Sequence, residues 1–234
     1  MQVTFRCLPE LEPILPKPIP ARRGLPEWLK RMPMSAPAGE FEGTVKTVKR
    51  CSPFVDAMSA GFLMPLPCDL HYAEGCFEWD WRELPPALPR HTPRSPLSFH
   101  VNAQLIETPL YEADAFAIKF NNLWTIETEP GVALLVTHPI NRPDLPFRAL
   151  TGLVDTDRYT DNYVHFPALW VERGFAGVVP KGTPVAQCIP VPRGALEVAF
   201  APLDAQAQAR LAEAQKQVVT PEGAYKRRYR AKRV

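Results

Sequence analysis

Two carboxylates are the residues of this 234-residue chain best suited by type and spacing to acid–base work. Asp155 and Asp157 stand two apart, directly after the short run Gly152-Leu153-Val154. A carboxylate at such a strand end suits a general base that orients water for attack on a phosphate. Aspartate near a turn also bonds its own backbone, so a turn-capping role stays open for both. Gln187 ends the run Gly182-Thr183-Pro184-Val185-Ala186-Gln187 and puts an amide at the edge of an apolar strand. Tyr159 and Arg142 add a ring and a cation that a polar, nucleotide-like ligand would use. Asn122 follows Asn121 and precedes Leu123-Trp124, which suits a turn, since asparagine tolerates left-handed backbone, or recognition of a planar polar ligand.

The five histidines show no HxH or HxxxH spacing. A metal site would need separate strands to bring His138 and His165 together with His100 and Asp155. That alternative is a metal-dependent enzyme using histidine and carboxylate ligands on a β scaffold, with a divalent metal ion as its cofactor. Hydrogen-bonded structural histidines are the competing account. Five cysteines form no CxxC pair, which fits reduced thiols in a cytoplasmic protein better than a disulfide framework.

The formal net charge of +2 is uneven. Residues 222–234 carry +5 and the other 221 carry −3. The body is therefore no polyanion-binding surface by composition. Only the tail, with Lys226, Arg227, Arg228, Arg230, Lys232 and Arg233 beside Tyr225 and Tyr229, would make weak, sequence-independent nucleic-acid contact. No window approaches 18 apolar residues, so no membrane partner is expected. Proline is the outlier, 28 residues against 12 glycines, and it excludes a long-helix or coiled-coil protein.

The elements that must position these residues are short strands. Gln2–Cys7 alternates, and prolines from Pro9 to Pro20 then force an extended path, so residues 1–43 read as a proline-rich arm anchored by Trp28. Period-two or β-branched runs follow at Thr44–Val48, Ser98–Val101, Phe116–Phe120, Val132–Thr137, Gly177–Val179 and Leu196–Phe200. Residues 44–201 thus form one β core. Leu203, Ala207, Leu211, Ala214 and Val218 recur at helical spacing and predict a helix within residues 202–220, with Asp204 at its start. Residues 221–234 are the basic tail. The fold class is all-β (mainly β): a sandwich or distorted barrel with a C-terminal helix.

Residues 124–192 resemble the dUTPase and dCTP-deaminase superfamily. Gly152 to Asp157 is similar in spacing to the family's Gly-hydrophobic-Ile/Val-Asp-x-Asp-Tyr hairpin. Gly182 to Gln187 is similar to its Gly-Asp-x-Ile-Ala-Gln motif, and Ser59-Ala60-Gly61 echoes its first motif. The resemblance implies a dUTPase-like β-clip fold and a homo-oligomer. It also implies a nucleotide site in which Asp155 and Asp157 are catalytic and Gln187 lies beside the phosphates. The sequence departs from the family pattern in three places. Arg158 intervenes so that Tyr159 stands one place late, His138-Pro139-Ile140-Asn141-Arg142 replaces the serine-rich motif, and no glycine-rich lid ends the chain. The implied function is binding of a small polar ligand such as a nucleotide, with phosphohydrolase activity left open. A non-catalytic binding or structural protein is the remaining alternative. The whole chain also resembles bacterial and phage proteins carrying the phrases FVDAMSAGF, KFNNLWTIET and PFRALTGLVDTDRY, which implies no activity.

Overall fold

β-Branched and aromatic runs punctuated by proline and glycine build sixteen short strands among the described residues. A computed structural model describes residues 1–39, 42–82, 84–110, 116–172, 174–219, 225 and 229–231. In chain order the strands are β1 (Val3–Arg6), β2 (Ile19–Pro20), β3 (Ser35–Pro37), β4 (Thr44–Lys46), β5 (Phe62–Pro65), β6 (Leu70–Ala73), β7 (Cys76–Trp79) and β8 (Leu97–Phe99). They continue with β9 (Phe116–Phe120), β10 (Thr125–Thr128), β11 (Val132–Thr137), β12 (Phe147–Ala149), β13 (Gly152–Val154), β14 (Phe166–Trp170), β15 (Gly177–Val179) and β16 (Pro184–Pro192). The helices are α1 (Glu27–Arg31), α2 (Ser52–Met58) and α3 (Ala205–Val219).

Met1–Arg31 and Asp56–Arg193 form one compact unit; Met32–Val55 and Gly194–Val234 form another. In the first, antiparallel pairing gives a five-stranded sheet of order β13-β11-β16-β5-β2, a four-stranded sheet β12-β14-β9-β8, a three-stranded sheet β15-β6-β7 and the pair β1-β10. Their inner faces share one core, with Trp170, Phe120, Phe147, Phe166, Leu66 and Ile118 almost wholly enclosed. Tyr72, Phe77, Phe116 and Trp170 meet in tilted and edge-to-face contacts, an arrangement aromatic rings favour over flat stacking.

The proline-rich arm belongs to this core through residue 31. Leu11, Leu15, Ala21 and Leu29 are buried, and the indole of Trp124 donates to Pro16 O (3.2 Å). Trp28, the expected anchor, is half-buried and hydrogen-bonds Asp144. Pro26 opens the first turn of α1, where a missing N–H costs nothing.

The second unit contains the β3-β4 hairpin and α3. Asp204 caps α3 by accepting from the Ala207 N–H (2.7 Å), as its position predicts. The expected strand at Leu196–Phe200 is a correction: the run pairs with no described strand. A strand needs a hydrogen-bonded neighbour as well as an alternating pattern. Leu196, Val198 and Phe200 are instead 87%, 66% and 94% exposed. Most of the basic tail lies outside the described residues. No helix among the described residues is long and apolar enough to cross a membrane.

Candidate functional site

The register of β11 decides where the two candidate motifs lie. β13 and β16 flank it on either side, both antiparallel to it. Gln187 faces Thr137 at one end of β11, and Arg193, just past β16, donates its backbone N–H to Gly131 O (2.7 Å) at the other. Six residues along a strand is about 20 Å. Asp155 and Asp157 gather at the Arg193 end. Within one chain, Gln187 and the two aspartates therefore stand at opposite ends of β11. Ordered motifs in a sequence share a strand pair here without sharing an end of it.

At the Arg193 end the chain makes a tight turn after β13. Asp155 O accepts the N–H groups of Arg158 (3.0 Å) and Tyr159 (2.9 Å), and Thr156 is buried with its hydroxyl 2.8 Å from that of Thr128. The Arg193 guanidinium bridges both carboxylates, bonding Asp155 Oδ1 at 2.7 Å and Asp157 Oδ1 at 2.7 Å. Asp157 Oδ2 also accepts the Gly131 N–H (2.9 Å). Arg193 and that N–H hold the Asp157 carboxyl below the usual carboxylate range, which makes it a poor proton acceptor at neutral pH. The aspartates thus clamp β11, β13 and the end of β16 together. Arg193 had no signal in the sequence beyond following a strand, because its partners are set by pairing.

At the other end Gln187 is 1% exposed and its amide is fully used. Its Oε1 accepts the Ile140 N–H (3.0 Å), and its Nε2 donates to Ala57 O (2.9 Å) and Ala60 O (2.8 Å). Gly182 takes φ +86, the turn conformation its position predicts. Arg142 lies near Gln187 along the same narrow slot, closed by Gly24, Leu25 and Pro26 of the arm to about 10 Å³. Arg142 bonds Asp144 through Nε (2.8 Å) and an Nη nitrogen (2.8 Å).

Asn122 is likewise committed. It is buried, donates to Trp124 O (2.6 Å) and Val164 O (3.2 Å), and accepts the Trp124 N–H (2.9 Å). It shapes a turn and presents nothing to a ligand. His165 Nδ1 accepts the Asn122 N–H (3.1 Å), while His138 spans Arg142 O (2.9 Å) and the Ala149 N–H (3.3 Å). Both nitrogens of His138 are occupied by main chain. Among the described residues no group of three or more His, Cys, Asp or Glu stands close enough to hold a metal ion, so the expected metal set of His138, His165, His100 and Asp155 does not assemble.

Burial pushes the His165 imidazole down to about 4, with Lys119 adding to the effect, and burial lowers His138 as well. Between about pH 6.5 and 4 the unfolded chain then binds protons at His165 that the folded chain refuses. Stability from His165 is complete above pH 6.5 and falls as pH drops toward 4. With partial solvent access discounted, the loss is on the order of 2 kcal/mol. Thermal melts from pH 7 to 4.5 are expected to slope less steeply for His165→Asn than for the parent chain. Equal slopes would contradict the assignment.

Beside the Asp155–Asp157 turn the chain runs on through Tyr159, and Thr160-Asp161-Asn162-Tyr163 line an open cleft of about 380 Å³. The opposite wall is Arg6, Cys7 and Leu8 around the β1-β10 pair, with Thr92 and Thr125 between. Tyr163, whose phenol burial pushes up, bonds Thr92. Asn162 Oδ1 accepts the Tyr163 N–H (2.8 Å), and Arg6 pairs with Glu127. The Asp161 carboxylate has no partner among the described residues. Tyr159 is 44% exposed on the same stretch. Reading the sequence missed this cleft, because Arg6 and Asp161 meet only through the pairing of the N-terminal strand with β10.

No family model matches the chain, and no curated protein sequence does. Among solved structures it is similar to a mutant dUTPase from phage phi11 of S. aureus, a structure described for the coordination of a structural Mg(II) ion. The match covers 39% of this chain and 74% of that one, at 13% identity and a TM-score of 0.28.

Proposed function

We propose that this mainly β protein binds a small polar ligand of the nucleotide class in the cleft between Arg6 and Asp161. The observation that carries the reading is the cleft itself. Its volume falls in the range of about 300–1,000 Å³ used by small-molecule sites. Its lining combines a ring at Tyr163, hydroxyls at Thr92, Thr125 and Thr160, a cation at Arg6 and a carboxylate at Asp161. Those groups suit a planar base and sugar hydroxyls, with the Asp161 carboxylate as acceptor, while Arg6 is held by Glu127. The cleft adjoins the Asp155–Asp157 turn through which the chain resembles nucleotide-handling proteins. Binding is proposed without hydrolysis, because the aspartates that would serve as base are engaged by Arg193.

The test is thermal shift with dUTP, dCTP and inorganic triphosphate on the parent chain and on Asp161→Ala and Tyr163→Leu. Either nucleotide at 100 times its dissociation constant is expected to add about 2.7 kcal/mol of stability. Both variants are expected to lose that gain while folding normally. A gain from triphosphate equal to that from the nucleotides, or variants that respond like the parent, would reject the reading.

We further propose a homo-oligomer. Leu196, Val198 and Phe200 alternate in sequence and are all exposed, an apolar display that soluble monomers rarely carry. Light scattering is expected to give more than one chain per particle, and a variant with all three changed to Asp is expected to be monomeric. A monomeric parent chain would remove this proposal.

A further inference from the structure

Against the four-stranded sheet β12-β14-β9-β8 lies a second cavity, of about 190 Å³, sharing no residue with the cleft. Ala117, Leu150 and Leu169 make its walls apolar, and Leu105, Gln104 and His100 are also among its lining. His100 Nδ1 lies 2.9 Å from Gln104 Oε1. An amide oxygen only accepts, so Nδ1 carries the proton and Nε2 is left as a bare acceptor. That Nε2 is buried and has no hydrogen-bond partner among the described residues. A buried polar atom left unpaired is uncommon in folded proteins and calls for a partner.

We propose that this cavity binds a small aromatic ligand carrying one N–H or O–H donor, the ring against the apolar walls and the donor on His100 Nε2. Size sets the class: a cavity of about 150 Å³ with apolar walls takes benzene, so this one takes a bicyclic ring of the indole type. A charged or polyhydroxylated ligand would bury polar groups against Ala117, Leu150 and Leu169 with nothing to satisfy them. Gln104 and Leu105 sit on the short 3-10 turn Asn102–Leu105. Nε2 has no solvent-accessible surface, so its use by a ligand requires that turn to move outward.

Titration calorimetry of the full chain with indole, and with indene as the same ring shape lacking the N–H, tests this. Indole is expected to bind saturably and indene at least tenfold more weakly. His100→Phe is expected to bring indole down to the level of indene. Leu150→Trp is expected to fill the cavity and abolish indole binding; Leu105→Trp narrows the cavity and leaves Gln104 on His100, should the first variant fold poorly. No indole binding by the parent chain, equal binding of indole and indene, or indole binding undiminished in a folded blocking variant would each overturn the proposal.

Discussion

Replacing Gln187 by Ala is expected to lower the melting temperature by about 8–16 °C, at roughly 2–4 °C per kcal/mol for a chain of this size. The side chain is buried and serves three main-chain groups at once: the Ile140 N–H and the carbonyls of Ala57 and Ala60. Truncation leaves the Ile140 N–H and Ala60 O without that partner, while Ala57 O keeps the Ala60 N–H (3.3 Å), and it opens a void beside β5. At about 1–3 kcal/mol for each unsatisfied buried group, with some relief from entering water, the loss is roughly 4 kcal/mol. The sequence resemblance makes the opposite expectation, loss of ligand with little loss of fold. The bonds within the chain favour a structural role instead, because both amide hydrogens of Gln187 are donated to backbone carbonyls. A shift under 3 °C in a calorimetric scan would show that Gln187 is not the tie described above.

Gly61→Ala is expected to be at least as severe. Gly61 has φ +67, a conformation that costs a residue with a Cβ roughly 1–2 kcal/mol. An added methyl would also lie 1.9 Å from Cys188 O and 3.0 Å from Ile189 Cα. Both are backbone atoms of β16, so relief requires moving the strand rather than turning a side chain. Gly61 O meanwhile accepts the Ala21 N–H (3.0 Å), so the arm's attachment shifts with it. Little soluble protein, or a melting temperature more than 10 °C below the parent, is the expected outcome. A variant within 3 °C of the parent would contradict the close approach of Gly61 to β16.

These two positions show what the sequence carries and what it does not. Strands at Phe116–Phe120 and Val132–Thr137 are legible because β-branched and aromatic side chains at those positions must face a sheet. The helix Ala205–Val219 is legible from its 3.6-residue period and Asp204 cap, and the Gly182 turn from its glycine. Leu196–Phe200 misleads because alternation states a preference for a neighbour and does not supply one. The candidate site was legible only as pieces. Asp155 and Asp157 are together, as their spacing requires, but what they do depends on Arg193, placed by the β11-β16 register. Gln187 is at the far end of that register. The Arg6–Asp161 cleft depends on β1 pairing with β10 across about 120 residues of sequence, a contact no local pattern encodes.

The most direct measurement of the central claim is a crystal structure of the chain soaked with whichever nucleotide, dUTP or dCTP, gives the larger thermal shift. The predicted result is nucleotide density between Arg6 and Asp161, with the base against Tyr163 and Gln187 unchanged on its three backbone partners. Density at Gln187 and Arg142 with the Gly24–Pro26 segment displaced, or an empty cleft at saturating nucleotide, would contradict the account.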